Sequence, residues 1–189
     1  MNHRYLQKFQ IKDVVFLAIM SAVALATCAV MPLVISLQPL IFGISQLVTA
    51  LQIGVFFAIG LYKVRKPGSL LIMALMMGLI QLMMSPPMFL SSVLNGILIE
   101  LIVLVLFRGY EKDAAVFVAA MLHTPLSLPF NYLYNRLVKG TDSPLAAVAD
   151  RAPLAAVGMT LAVVAVSALG ALIGIKIARE LKKSGVLKK

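Results

Sequence analysis

Long apolar runs, separated by short polar or basic connections, occupy most of this chain. A helix rises 1.5 Å per residue, so about 20 apolar residues cross a hydrocarbon core of roughly 30 Å. Six runs meet or approach that length. They predict an all-α integral membrane protein, a compact bundle of six transmembrane helices. The predicted helices span residues 13–34, 40–62, 69–85, 88–107, 114–134 and 153–175.

The composition excludes a soluble fold. Of the 189 residues, 61% are hydrophobic and only 13% are charged, and the mean hydropathy is +1.00. A soluble protein of this size has no use for so much apolar surface, because its exterior must face water. No repeat or long linker interrupts the runs, so residues 1–189 are predicted to form one membrane domain. The first run is too long for the core of a signal peptide and is interpreted as a retained helix.

The basic residues divide unequally between alternate connections. Of the 17 Lys and Arg residues, 14 lie before the first helix, after the second, after the fourth or after the sixth, and 3 lie in the other connections. Cytoplasmic segments of membrane proteins hold the excess of Lys and Arg, so both termini are predicted to be cytoplasmic. The basic residues of a surface that binds nucleic acid would not be concentrated in every second connection between helices. Membrane topology therefore explains the net charge of +10.

The three connections on the opposite, outer side carry polar and turn-forming residues instead. The first contains Ile35-Ser-Leu-Gln-Pro39, the second contains Ser85-Pro-Pro-Met88, and the third, residues 135–152, is the longest. A long loop in a compact bundle is more often a lid or a binding loop than slack chain. A ligand is therefore expected beneath the third loop.

Polar residues near the outer helix ends are the candidate ligand contacts. Their amides and hydroxyls can hydrogen-bond a neutral polar molecule, although Tyr at a helix end, such as Tyr134, is also typical of the interfacial belt. Pro125 and Pro129 are expected to bend the fifth helix and free carbonyls beside the pocket. The predicted substrate-binding residues are Gln38, Gln46, Gln81, Met84, Met88, Asn95, Asn131, Tyr132, Asn135 and Arg136.

Two ionisable groups lie inside apolar runs, where such groups are rare and often mark a site. Glu100 is either a ligand contact or a structural carboxyl that faces the bundle. His123 is interpreted as a hydrogen-bonder between helices rather than a metal ligand, because the chain has only one other histidine and a single cysteine. No metal site, catalytic site or nucleotide loop is expected from the motifs.

The first helix carries Ala18, Ala22 and Ala26 at a spacing of four, so all three lie on one smooth face. Small residues at this spacing let helix backbones approach closely within a membrane. The spacing alone is compatible with packing inside this protein or with docking to another one. The chain shows no nucleotide site, so if it moves a ligand across the membrane it must dock to an energy source, which favours docking.

These features together resemble the S component, the substrate-binding membrane subunit, of an energy-coupling factor (ECF) vitamin transporter. The alanine ladder, the outer loops, and Arg65-Lys-Pro-Gly68 followed by Asn95-Gly and Glu100 carry the resemblance, which is strongest to the cobalamin-specific and thiamine-related branches. It implies a non-catalytic subunit of the prokaryotic cell membrane that binds no cofactor. It also implies that Ala18, Ala22 and Ala26 contact a transmembrane coupling subunit, that two partner ATPases bind ATP and Mg, and that the S component topples in the membrane to release its vitamin.

The composition bears on which vitamin is carried. The chain has no Trp, many Met residues and few acidic groups at the outer helix ends. The thiamine-specific members of the family it resembles are instead rich in Trp and offer acidic partners for a cation. Cobalamin or a related corrinoid is therefore the first expectation, and thiamine, hydroxymethylpyrimidine or pyridoxine is the alternative.

Two other classes of protein remain open from the sequence. A small intramembrane enzyme would use His123 or Glu100, and a non-catalytic assembly or scaffold protein would bind no small ligand at all.

Overall fold

A computed structural model describes residues 8–28, 33–34, 36–138, 140 and 143–187. Of the basic residues counted above, Arg4, Lys139, Lys188 and Lys189 fall outside these residues, as do residues 29–32 of the first predicted helix. The described part is built from seven α-helices and contains no strand, which confirms the all-helical prediction. The helices are α1 (Ile11–Thr27), α2 (Ile44–Lys63), α3 (Ser69–Leu82), α4 (Pro86–Phe107), α5 (Asp113–Val138), α6 (Pro144–Arg151) and α7 (Pro153–Lys183).

Four helices, α2, α4, α5 and α7, are long and apolar enough to cross a membrane. Helix α1 has 17 residues and α3 has 14, fewer than the roughly 20 of a typical span. Six crossings therefore stay a prediction. Many outward side chains on the long helices are apolar, for example Leu101 on α4 and Leu161 on α7, which are 54% and 65% exposed.

Several helix ends differ from the predicted ones. Helix α1 ends at Thr27 rather than 34, and α7 continues to Lys183, where Lys183 pairs with Glu180 across one turn. The long third loop is partly helical: α5 continues to Val138, and Pro144 occupies the first turn of α6, where its missing N–H is tolerated. These extensions shorten the irregular part of the predicted loop.

Glycines bring α2 and α7 into backbone contact. A Cβ atom on Gly170 would lie 2.5 Å from Leu51 O, and one on Gly174 would overlap Val55 O. From the α2 side, a Cβ on Gly54 would lie 2.9 Å from Ser167 O. Gly170 and Gly174 form a G-x-x-x-G motif, the spacing that favours close helix packing in membranes. This motif was not among the predicted helix contacts.

Buried polar side chains join the other helices through backbone carbonyls. Ser21 Oγ on α1 lies 3.1 Å from Met73 O on α3, and Ser92 Oγ on α4 donates to Ala74 O at 3.1 Å. With its amide oriented to satisfy both partners, Asn95 lies 3.3 Å from Leu126 O and from Ser127 N on α5. Each such bond fixes the register between two otherwise apolar helices.

One end of the bundle, here called the basic end, comprises residues 8–13, 63–68, 108–113 and 176–183. Asp113 pairs there with Arg65 and, at 2.7 Å, with Arg179, so a single carboxylate joins the α2–α3 connection, α5 and α7. Lys66 pairs with Asp13 of α1 at 2.7 Å. The opposite end, here called the loop end, comprises residues 36–43, 82–88 and the described part of 131–153.

Glu100 faces the basic end and closes the start of α3. Its Oε1 accepts a 2.6 Å hydrogen bond from Gly68 N–H, and its Oε2 accepts a 2.9 Å bond from the Tyr110 hydroxyl. Gly68 has φ 92°, a left-handed conformation that favours glycine. A carboxylate at a helix N-terminus satisfies N–H groups that lack helical partners. Of the two alternatives for Glu100, the geometry supports the structural one.

Tyr110 lies in the connection between α4 and α5 and is fully buried. Its burial, followed by the adjacent Glu100 carboxylate, raises its pKa above the usual range. The hydroxyl therefore stays protonated and available as a donor.

Candidate functional site

A cavity of about 390 Å³ opens at the loop end, between α2, α3, α4, α5 and the end of α1. Its mouth is formed by the connection before α2, the α3–α4 turn and the start of α6, which contribute Pro39, Ser85 and Pro144. Its interior extends down to His123 on α5. This volume falls at the lower end of the range for sites that hold small organic ligands.

Polar stripes on three helices line the cavity. Because residues three or four apart share a helix face, each stripe points to one side of an otherwise apolar helix. The stripes are Ser45, Gln46 and Thr49 on α2; Ser91, Ser92 and Asn95 on α4; and His123, Thr124, Ser127, Asn131 and Asn135 on α5.

None of the described residues that line the cavity is an Asp, Glu, Lys or Arg. The site is therefore polar through hydroxyls, amides and one imidazole rather than through charge. Such a lining suits an uncharged ligand with several hydrogen-bonding groups, since a bound ion would lie in a low-dielectric site without a counter-charge.

The amides at the cavity mouth are held by short hydrogen-bonded chains. Gln38 donates to Ser45 Oγ, which donates to Gln46 Oε1 at 2.8 Å. On the other side, Ser143 Oγ donates to Asn135 Oδ1 at 3.0 Å, so α6 anchors the end of α5. These bonds orient the amides before any ligand arrives.

The floor of the cavity is different. His123 is 4% exposed and Thr124 is 3% exposed, yet neither ring nitrogen of His123 nor the hydroxyl of Thr124 has a hydrogen-bond partner in the described structure. The His123 ring packs on Phe57, with 4.4 Å between ring centroids. Buried polar groups are nearly always hydrogen-bonded, so these two call for an explanation.

Comparison with known protein families gives a match over most of the chain. Residues 11–183 match the model of a family described as a hypothetical bacterial integral membrane protein, Trep_Strep. The chain belongs to the Trep_Strep family. No curated protein and no solved structure matches it. Family membership establishes an integral membrane protein of bacteria and assigns no substrate.

Most of the residues predicted as substrate contacts line the cavity. The seven that line it are Gln38, Gln46, Gln81, Met88, Asn95, Asn131 and Asn135.

Three predicted contacts lie elsewhere. Met84 is 56% exposed in the α3–α4 turn and is not among the lining residues. The Tyr132 hydroxyl donates to Asp150 at 2.7 Å, and Arg136 pairs with the same carboxylate at 3.0 Å. Tyr132 and Arg136 therefore brace the third loop. Tyr134, interpreted above as part of the interfacial aromatic belt, does line the cavity, because it falls on the same face of α5 as Asn131.

The structure also corrects the interpretation of His123 as a satisfied hydrogen-bonder between helices, since no described residue hydrogen-bonds its ring nitrogens. Thr124 and the serines of α4 were not predicted as site residues. The spacing of Met88, Ser91 and Asn95, at intervals of three and four, is a signal that could have found the α4 stripe.

No group of three or more His, Cys, Asp or Glu side chains able to hold a metal ion occurs among the residues the structure describes. Cys28, the single cysteine, is buried and lines the cavity.

The alanine ladder lies largely on the outer surface of α1. Leu17, Ser21 and Ala24 form the buried face, whereas Ala22 and Ala26 are exposed and Ala18 is half-buried, with respect to the described residues. The ladder therefore contributes little to packing within that part of the bundle.

Proposed function

We propose that this protein is the substrate-capturing S component of an ECF-type importer, which binds a small, uncharged, vitamin-like molecule. The observation that carries the proposal is the cavity at the loop end, whose lining presents hydroxyls, amides and an imidazole among apolar side chains but no charge among the described residues. A cavity that is open at one end of a membrane bundle and closed at the other suits capture from one side.

The proposed topology has six membrane crossings, with both termini and the basic end in the cytoplasm. Its support is the position of the ion pairs that join Lys66 to Asp13 and Arg179 to Asp113, all at the end opposite the cavity. Cytoplasmic ends hold the excess of Lys and Arg, so the cavity would open to the outside.

The proposed partners are a transmembrane coupling subunit and two ATPases, which would bind ATP and Mg. The exposed side chains of Ala22 and Ala26 support docking, because small residues on an outward helix face permit close approach by a second helix. Transport would follow from reorientation of the loaded subunit in the membrane, driven by these partners.

The size and charge of the cavity favour hydroxymethylpyrimidine or pyridoxine as the class of ligand. A corrinoid is several times larger than either molecule, and about 390 Å³ suits a compact ligand. Thiamine is a permanent cation, and no carboxylate lines the cavity among the described residues. These arguments place the two neutral alternatives ahead of cobalamin and thiamine.

An intramembrane enzyme has weaker support. The Glu100 carboxylate is engaged by Gly68 and Tyr110, and no hydroxyl of the described residues hydrogen-bonds His123. A general base needs a nucleophile or a water within hydrogen-bond reach.

A binding screen tests the proposal. Purified protein in nanodiscs is titrated with hydroxymethylpyrimidine, pyridoxine, thiamine and cobalamin, and uptake of any bound compound is measured in vesicles with and without ECF coupling subunits. Saturable binding, with uptake that requires ATP and the coupling subunits, supports the proposal. Binding of none of the B vitamins or their precursors refutes it.

A further inference from the structure

We propose that His123 and Thr124 form the recognition floor of the cavity and hydrogen-bond an uncharged ligand whose buried edge carries both a donor and an acceptor. The inference rests on the proposed function, because it concerns the same cavity. It assigns the ligand's buried end to two residues outside the predicted set of substrate contacts.

The hydroxyl of Thr124 differs from other threonine hydroxyls of the same chain. Within a helix, Thr and Ser usually donate to a carbonyl three or four residues earlier. Thr49 does so to Ser45 O at 2.9 Å, and Thr160 does so to Ala156 O at 2.8 Å. Thr124 is more deeply buried than Thr160, and its hydroxyl makes no such bond in the described structure. Its free hydroxyl is therefore a feature of the site.

The ring of His123 is positioned by packing rather than by hydrogen bonds to described residues. Phe57 of α2 packs against its ring, and Ile53, one turn earlier on the same helix, lines the cavity beside it. This packing holds the imidazole in place without using its nitrogens. A neutral imidazole has one N–H donor and one nitrogen acceptor, so His123 offers both kinds of hydrogen bond from a fixed position.

A buried polar group without a partner destabilises the folded protein, and native proteins retain such groups chiefly at functional sites. Two adjacent residues of this kind at the floor of one cavity indicate that the ligand supplies the missing partners.

The chemistry of the ligand follows from what surrounds the pair. No Asp, Glu, Lys or Arg lines the cavity among the described residues, and no metal-binding cluster occurs there, so an ion or a metal complex has no counter-charge or ligand set. An aminopyrimidine or amide edge, which presents an N–H donor beside an acceptor, is complementary to a hydroxyl and a neutral imidazole.

Matched variants test the inference with two independent measurements. Thr124→Val keeps the shape of the side chain and removes its hydroxyl, His123→Leu removes the imidazole, and Thr160→Val is the control with a bonded hydroxyl. Full-length proteins in nanodiscs are titrated with hydroxymethylpyrimidine and pyridoxine, and Tm is measured without ligand. We expect at least tenfold weaker binding for Thr124→Val and His123→Leu, with unchanged affinity for Thr160→Val.

The ligand-free Tm separates failure of this inference from failure of the proposed function. Because Thr124→Val removes an unsatisfied group, its Tm should rise by about 2–4 °C. Retained affinity in both cavity variants, or a lower Tm for Thr124→Val, would overturn the inference. If the wild type binds neither probe, the proposed function loses its ligand class; a higher Tm for Thr124→Val then still supports the inference, and a lower Tm overturns it.

Discussion

Ser167 Oγ on α7 donates a 2.7 Å hydrogen bond to Met121 O on α5. Met121 is four residues before Pro125, which has no N–H to donate to that carbonyl. The serine of one helix therefore supplies the donor that the proline of another helix lacks. This relationship lets α5 carry two prolines beside the cavity without an unsatisfied carbonyl at Met121.

The variant Ser167→Ala is expected to leave Met121 O without a partner in an apolar environment. We expect a loss of about 1–2 kcal/mol in the free energy of unfolding, measured by denaturant titration in detergent. Thr160→Ala is the matched control on the same helix, because its hydroxyl bonds only to the carbonyl of Ala156. Equal stability of Ser167→Ala and Thr160→Ala would contradict this account.

The glycines at the α2–α7 contact predict a second, larger effect. A methyl group on Gly170 would meet Leu51 O, a backbone atom that cannot rotate away, so Gly170→Ala must separate the helices. We expect destabilisation of about 1–3 kcal/mol and a lower Tm.

Gly158 provides the control for this prediction, because it lies on α7 and a Cβ there would meet no heavy atom within 4 Å. Gly158→Ala should be neutral or stabilise the protein by up to about 1 kcal/mol, since alanine favours a helix more than glycine does. The close-packing argument fails if both alanine variants shift Tm alike.

The bonds of Glu100 to Gly68 N–H and Tyr110 predict a structural effect without a binding effect. Glu100→Ala leaves the Gly68 N–H at the start of α3 and the buried Tyr110 hydroxyl without their acceptor, so the free energy of unfolding should fall by about 1–3 kcal/mol. Ligand affinity, measured by the same titrations as above, should stay within about twofold, because Glu100 does not line the cavity. Glu180→Gln, which alters only an exposed ion pair, is the control. A selective loss of ligand affinity in Glu100→Ala would restore the ligand-contact alternative.

Apolar runs predicted the helices well because a membrane span needs length and hydrophobicity, both of which are local properties. The ends were less predictable. Helix α6 begins at Pro144 and α5 extends to Val138 because backbone N–H and C=O groups can still find hydrogen-bond partners there, which the local sequence does not reveal. Helix α1 ends seven residues before its apolar run does.

The candidate site was predictable to the extent that it follows helix faces. Asn131 and Asn135 lie on one stripe by spacing alone, and both line the cavity. Tyr132, between them, points to Asp150 instead. The role of Glu100 depends on Gly68, 32 residues away, and no local pattern encodes that contact. Likewise, only the packed structure shows that no described residue hydrogen-bonds the His123 ring.

The exposed face of the alanine ladder gives the last prediction, which tests the proposed coupling. Ala22→Leu and Ala26→Leu add bulk where a partner helix would approach, so uptake with the coupling subunits should fall at least tenfold. Ligand affinity of the isolated protein should stay within about twofold, because neither residue lines the cavity. Leu101→Phe, an equally outward change on α4, is the control and should leave uptake unchanged. Parallel loss of uptake and affinity in the alanine variants would mean that bulk on this face disturbs the bundle itself, and the docking proposal would then lose its support.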